Sequence, residues 1–475
     1  MAKRWLLAAL AIAGALLPIW RGPALLSVAA ASQPAYKANI TWRQAKPVLD
    51  AFPESLPAEL KGKSPAELEA AWPAWVVRRG AEIRARLERG DEDSIFNFWL
   101  YGTSFTKRPR MTNRDVASLG GPAGAADLLQ GRLNDLLDGI AAPGDNDRLR
   151  FVREAMQRHG IDPRTPAGRD QAWNYMVDLR ARAHADNDRY VQAGRSAQQL
   201  GDSARQSAFA TLFRDRGLSS DTRIDVDFSI DQALKALGAR GSLPPGSIRR
   251  VAIVGPGLDF TDKAEGYDFY PQQTIQPFAV LDSLLRLSLA ASADLHMTTF
   301  DLSPRVNQHL EAARQRAQSG TPYVLQLPLD GDSPAHQWNP DFEAYWQHVG
   351  ARIGDDVPAI PSPPGASVRV RAVRVRPAMA LSITPRDLNI VLERLAPLNE
   401  DDRFDLIIAT NVLIYYNAFE QALALANVSA MLRPGGVFLT NYKIAPLPPV
   451  ESSGSVITSF DRQGNGDTIF VYVRR

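Results

Sequence analysis

The sequence contains no cysteine. Disulfides and thiolate metal sites are thereby excluded, and thiol usage says nothing about the redox compartment. Histidine is scarce as well, with 6 in 475 residues, none at metal-ligand spacing, so no metal site is expected. Neither sign of charge dominates. The 54 Lys and Arg against 52 Asp and Glu leave a formal net charge of +2, which argues against a chain whose main work is coating nucleic acid. Internal repeats are absent. What is present is an ordinary globular composition, 45% hydrophobic, in a chain long enough for two to three domains.

The first 31 residues read as a leader. Lys3 and Arg4 precede an apolar run from Trp5 to Trp20, and the small residues Val28–Ala31 offer a cleavage site. Three readings stay open: a cleaved signal peptide, an uncleaved membrane anchor through residues 5–20, a run short for a full span of about 20 residues, and a mis-assigned start codon. Residues 32–225 are expected to form a mainly helical domain. Trp75–Leu87 and Ala125–Ile140 carry apolar residues at three-to-four spacing, and Pro143–Asp147 and Gly160–Gly168 separate helices. Arg180–Arg214 is polar almost throughout and reads as a solvated helix pair. The stretch Ser94–Arg110 concentrates Phe96, Phe98, Trp99, Tyr101 and Phe105 ahead of basic residues. It serves either as a buried seam between domains or as a cap over a cleft.

From residue 226 to the C-terminus the pattern becomes that of an α/β domain. Strands are expected at Arg250–Val254, Leu295–Phe300, Phe404–Ala409 and Gly436–Asn441, alternating with helices at Pro277–Leu289, Pro304–Gln318, Arg386–Leu395 and Ala418–Leu432. Such alternation predicts a mostly parallel sheet covered on both faces. The end differs: Ser455–Phe460 and Thr468–Val473, joined through Asn465-Gly466, read as an antiparallel hairpin. An insertion at about 322–376 interrupts the alternation. In it, Val368–Arg376 reads as a charged edge strand with a bulge at Ala372-Val373, and its arginines at 369, 371, 374 and 376 either guard that edge or hold an anion.

Four motifs bear on chemistry. In VAIVGPGLD (251–259), a buried strand runs into a turn whose Gly255 and Gly257 permit close approach of a ligand to the backbone. A nicotinamide-cofactor fingerprint would place a third glycine at 260, where Phe260 stands. Asp301 closes the second strand, where a carboxylate accepts ribose hydroxyls. It lies 42 residues beyond Asp259 against the roughly 20 of a standard unit. The excess contains Tyr267, Asp268, Phe269 and Tyr270, either a lid or a self-packed surface loop. Thr384-Pro385-Arg386-Asp387 makes a helix-capping motif, while Asp387 and Asn389 also fall where a turn could meet an adenine. Last, the strand Phe404–Ala409 ends in Thr410-Asn411, followed by an amphipathic helix, Leu432-Arg433-Pro434-Gly435-Gly436 and a further strand.

In this order, over about residues 225–475, these motifs resemble class I S-adenosylmethionine-dependent methyltransferases. The run Asn411–Tyr416 is similar to that of chemotaxis-receptor glutamate methyltransferases. The resemblance implies a Rossmann-like methyltransferase sheet with a C-terminal antiparallel hairpin behind a helical N-terminal domain. It implies S-adenosylmethionine as cofactor and in-line attack by an unknown acceptor on the sulfonium methyl. Carried over, Gly255 and Gly257 pass under the methionine part and ribose, Asp301 binds the ribose hydroxyls, Asp387 and Leu388 meet the adenine, and Thr410 and Asn411 line the floor near the methyl. Two positions depart from the family pattern. Ile253 replaces an acidic residue, and Asp259 stands at the last glycine of the turn, where it is kept as a cofactor-binding candidate. No catalytic base is identified; Tyr267, Asp268, Tyr415 and Tyr416 are candidates by position. The leader favours either an anchored enzyme facing the cytoplasm or an exported, non-catalytic binding module on this fold.

Overall fold

The computed structural model describes residues 36–109, 122–197, 217–220, 224–260, 267–331, 337–363 and 367–475. In chain order its helical half contains β1 (Tyr36–Asn39), α1 (Trp42–Ala51), α2 (Pro65–Tyr101), α3 (Pro122–Ala141), α4 (Asp147–Arg158), α5 (Pro166–Ala197) and α6 (Ile224–Ala239). There follow β2 (Arg250–Val254), α7 (Gln276–Arg286), β3 (His296–Asp301), α8 (Pro304–Gln318), β4 (Tyr323–Asp330), α9 (Pro340–His348), β5 (Gly354–Val357) and β6 (Val368–Val375). The chain closes with α10 (Pro377–Leu381), β7 (Ile383–Asp387), β8 (Glu393–Ala396), β9 (Phe404–Ala409), α11 (Ala418–Met431), β10 (Leu432–Thr440), β11 (Val450–Ser459) and β12 (Gly466–Arg474). The leader, including residues 5–20, lies outside the described residues, as do residues 198–214 of the polar stretch and Arg110. Among the described residues no helix is long and apolar enough to cross a membrane.

One seven-stranded sheet has the order β11-β12-β10-β9-β2-β3-β7. Its strands run parallel from β10 to β7, and β12 turns antiparallel to both β10 and β11. This is the Rossmann-like sheet with a C-terminal hairpin that the pattern predicts. Its central strands are apolar on both faces because both faces are covered. Val251 and Ile253 of β2, with Leu406 and Ile408 of β9, enter one core beside α6, α7 and α8. Ala252 and Val254, with Ile407 and Ala409, enter the other beside α11 and Trp72, Trp75, Val76 and Ile83 of α2. The helical half therefore covers a face of the sheet, and residues 35–475 form one compact unit. From β2 the chain winds outward through β3 to β7, then returns to β9 on the other side of β2. Loops after β2 and β9 consequently diverge, opening a crevice at the carboxyl ends of these two strands.

Two expectations are corrected. No helix spans 386–395. Thr384, Pro385, Arg386 and Asp387 instead continue β7 in register with β3, Asp301 opposite Asp387. Pro385 is tolerated because β7 ends the sheet and needs no amide donor on its free side. Beyond it Asn389 builds a turn, its Oδ1 accepting from Val391 N–H at 3.1 Å, and β8 then pairs with β1. Likewise β6 is the central strand of a three-stranded antiparallel sheet, β4-β6-β5, with unbroken register and no bulge. Ala372 and Val373 are both buried, although alternation points them to opposite faces of the strand. Two of its arginines have partners within the insertion: Arg369 pairs with Glu343 at 2.6 Å and Arg371 with Asp356 at 2.8 Å, both over the ring of Trp346.

Candidate functional site

The crevice at the β2/β9 switch point is a cleft of about 760 Å³. Its first wall is the turn after β2. Gly255 has φ +67° and Gly257 φ +72°, a region that side chains disfavour. The Gly255 N–H donates to the Phe300 carbonyl at 2.8 Å, tying the turn to β3. A Cβ on Gly255 would lie 2.5 Å from Val412 Cγ2, so glycine is needed here for space as well as for φ.

Asp301 closes β3 against that turn. It is 9% exposed, and its Oδ1 accepts from the Ser303 N–H at 2.7 Å. Burial pushes its carboxyl up to about 7, opposed by the Ser303 and Gly257 backbone N–H groups and by Arg305, and reinforced by Asp387. Gly257 and Asp301 thus meet at one point. Leu388 and Ile390, after β7, add an apolar wall, and Leu302 and Ser303 extend the edge beside Asp301.

The floor lies after β9. Thr410 is buried and accepts from Gln276 Nε2 at 3.0 Å. Asn411 adopts φ +58°. A paired contact with Asn441 holds it there: the Asn411 N–H donates to Asn441 Oδ1 at 2.8 Å, and Asn441 Nδ2 returns a bond to Asn411 Oδ1 at 2.7 Å. Tyr415 and Tyr416 complete this side, with the Arg86 guanidinium over both rings. Burial raises the Tyr416 hydroxyl far above its ordinary range.

The helical half supplies the remaining wall through Leu87 of α2 and the strap Leu218–Ser220. The Leu218 N–H bonds the Arg86 carbonyl at 3.0 Å, and the Leu258 N–H bonds the Ser220 carbonyl at 2.7 Å. Gly90 and Gly217 let strap and helix touch, since a Cβ on Gly217 would lie 2.1 Å from the Gly90 nitrogen.

Of the eight residues read from the sequence, Gly255, Gly257, Asp301, Leu388, Thr410 and Asn411 line this cleft. Asp387 does not. Its side chain is 49% exposed and pairs with Arg84 at 2.7 Å and Lys37 at 3.3 Å, because alternation along β7 turns it away from Leu388. Nor does Asp259, which faces a second cavity beside Tyr267 and Tyr270 and bonds Gln273. The 267–270 segment is no lid over the cleft. Asp268 is buried and accepts from Thr103 and Ser104, including the Thr103 N–H at 2.6 Å; residues 261–266 lie outside the described residues. Phe98 and Phe151 pack on Phe260 at 5.6 and 5.2 Å, so the aromatic stretch is a buried seam. Leu87, Leu218–Ser220 and Gln276 had no signal in sequence. Val412 had only its nearness to a predicted strand end, and Ile390 fell inside the helix expected at Arg386–Leu395.

No family model and no curated protein matches this sequence. Among solved structures it is similar to magnesium protoporphyrin IX methyltransferase from Synechocystis PCC 6803 with bound SAM, at 13% identity, over 55% of this chain and 88% of that one, with a TM-score of 0.26. It is also similar to the N-methyltransferase NodS from Bradyrhizobium japonicum WM9 in complex with S-adenosyl-L-homocysteine, at 12% identity, over 57% and 98% of the two chains, with a TM-score of 0.26. A third is the glycopeptide N-methyltransferase MtfA complexed with S-adenosyl-L-methionine, at 13% identity, over 54% and 96%, with a TM-score of 0.23.

Proposed function

We propose that the chain transfers a methyl group from S-adenosylmethionine to an acceptor nucleophile. One observation carries this reading: the glycine turn after β2 and the carboxylate closing β3 share a single cleft at the switch point of the sheet. The residues present fit the cofactor. The turn leaves backbone exposed where a Cβ would intrude, and the buried Asp301 carboxylate offers acceptors to a ribose diol. Leu388 and Ile390 present apolar surface to a purine.

S-adenosylmethionine would supply a methyl already activated on a sulfonium centre. The chain's task is then alignment and exclusion of water. Asp301 fixes the nucleoside, the glycine turn admits the methionine portion, Thr410 and Asn411 form the floor beneath it, and Leu87 with the strap closes the roof. Tyr416 holds its proton too tightly to serve as a base.

Calorimetric titration with S-adenosylmethionine, and separately with NADH, tests the proposal. Binding of the first alone, abolished by Asp301→Ala, supports it; no heat with S-adenosylmethionine overturns it. A working enzyme must also face the compartment that holds the cofactor, so the leader is proposed to be retained as an anchor. N-terminal sequencing of the native protein should then begin at the leader rather than after residue 31.

A further inference from the structure

Two side chains beside the cleft floor have no role in the reaction proposed above. Asn441 follows β10, and Asp467 stands near the start of β12 in the C-terminal hairpin. Asn441 Oδ1 accepts the Asn411 N–H at 2.8 Å, and Asn441 Nδ2 donates to Asn411 Oδ1 at 2.7 Å. The same Nδ2 donates to Asp467 Oδ2 at 2.9 Å, and the Thr468 N–H holds Asp467 Oδ1 at 2.8 Å. The direction of each bond is fixed. A backbone N–H can only donate, so the Asn441 atom facing Asn411 N is its amide oxygen. The two hydrogens of Asn441 Nδ2 then meet two acceptors, Asn411 Oδ1 and Asp467 Oδ2. With Oδ1 taken, Asn411 keeps its Nδ2, which bonds none of the described residues, and Asn411 lines the cleft. Burial raises the Asp467 carboxyl from its ordinary value and Asp225 adds to this, while Asn441 and Thr468 oppose it. A neutral acid with its proton on Oδ1 still accepts at Oδ2, so the clasp holds in either state.

The lining of the cleft indicates what that donor meets. Among the described residues that line it there is no Lys and no Arg, and Arg86 donates to the Tyr415 carbonyl at 3.1 Å. S-adenosylmethionine ends in an α-carboxylate, a group that needs hydrogen-bond donors when it leaves water. We infer that Asn441 and Asp467 are positioning residues: they lock the Asn411 amide so that its Nδ2 donates to the α-carboxylate of the cofactor's amino-acid portion. The inference rests on the proposed cofactor and adds to it the group that receives the methionine end.

Exchanging the two side chains tests it. In the full chain carrying both Asn441→Asp and Asp467→Asn, the Asn411 N–H still meets an oxygen at position 441. The amide at 467 donates to the carboxylate at 441, so their bond survives with its direction reversed. Three N–H groups around that carboxylate keep it ionised, which draws Asn411 Nδ2 inward and turns its Oδ1 to the cleft. Calorimetry then compares S-adenosylhomocysteine with 5′-methylthioadenosine, which carries the same nucleoside without the amino-acid portion. The exchanged protein should melt as the parent does, and above Asn441→Asp alone, in which two carboxylates face each other. It should bind 5′-methylthioadenosine within about twofold of the parent, and S-adenosylhomocysteine at least about tenfold more weakly, since a donor to a charged group gives way to an acceptor. Equal weakening of both ligands, or unchanged S-adenosylhomocysteine affinity, overturns the inference and leaves the cofactor reading standing. An exchanged protein that melts no higher than Asn441→Asp alone contradicts the clasp. Asn411→Asp keeps both partners and puts an oxygen where Nδ2 stands, so it should show the same split between the two ligands without the exchange; no split overturns the contact. If neither ligand binds the parent, the cofactor reading falls, and the carboxylate assignment with it.

Discussion

Register alone does not decide whether a carboxylate faces a cleft or solvent; its neighbours across the sheet do. Asp301 and Asp387 are register partners on β3 and β7, yet only Asp301 enters the cleft. Its carboxyl, raised to about 7, must ionise to accept two ribose hydroxyls well. Affinity for S-adenosylhomocysteine should therefore fall as pH drops below 7, by up to about tenfold per unit, and Asp301→Asn should flatten that profile in calorimetry across pH 5.5–8. The same raised value means the folded state holds this proton more tightly than the unfolded chain, so its contribution to stability declines as pH rises from about 4 to 7. Gly255→Ala should cost about 1–2 kcal/mol for its φ and about 1–3 for the overlap with Val412, read by denaturant unfolding, and should abolish nucleoside binding. Five of the six site residues legible in the sequence stand within three positions of a predicted strand end, where a parallel sheet must present its loops; Leu388 fell inside a predicted helix and was named only through the resemblance. Gln276 was not legible because nothing local marks the start of α7 as facing Thr410.

Elements follow their partners more than their propensities. Thr384-Pro385 satisfies the local rules for starting a helix, but β3 offers an open edge and the segment pairs with it. The alternating arginines of β6 read as edge protection, whereas in a central strand Glu343 pairs with Arg369, Asp356 pairs with Arg371, and both guanidinium groups lie over Trp346. Phe260 shows the same dependence. It occupies the third-glycine position of a dinucleotide turn and is 0% exposed between Phe98 and Phe151, with the buried Arg148 bonded to its carbonyl. Phe260→Ala should cost about 3–5 kcal/mol by chemical denaturation. It should not create NADH binding, since the helical seam, and not the side chain alone, closes that end of the turn.

At the scale of the molecule the helical half is part of the site. Leu87 and the strap 218–220 roof the cleft, and α2 shares a core with β2 and β9. A chain of residues 35–475 should accordingly unfold in a single cooperative calorimetric transition and bind S-adenosylmethionine as the full chain does. Two separated transitions would show that the halves stand apart. Removing residues through Asn39 as well takes away β1, its pairing with β8 and the Lys37–Asp387 ion pair, and should lower the melting temperature.

Read alone, the sequence determined the central parallel strands, the terminal hairpin and the strand ends that border the cleft, because apolar periodicity and glycine punctuation are local properties of the chain. Only the tertiary structure decided which carboxylate faces inward and which helix roofs the cleft. Those outcomes depend on strand register and on contacts between residues far apart in sequence, and no short window of residues encodes them.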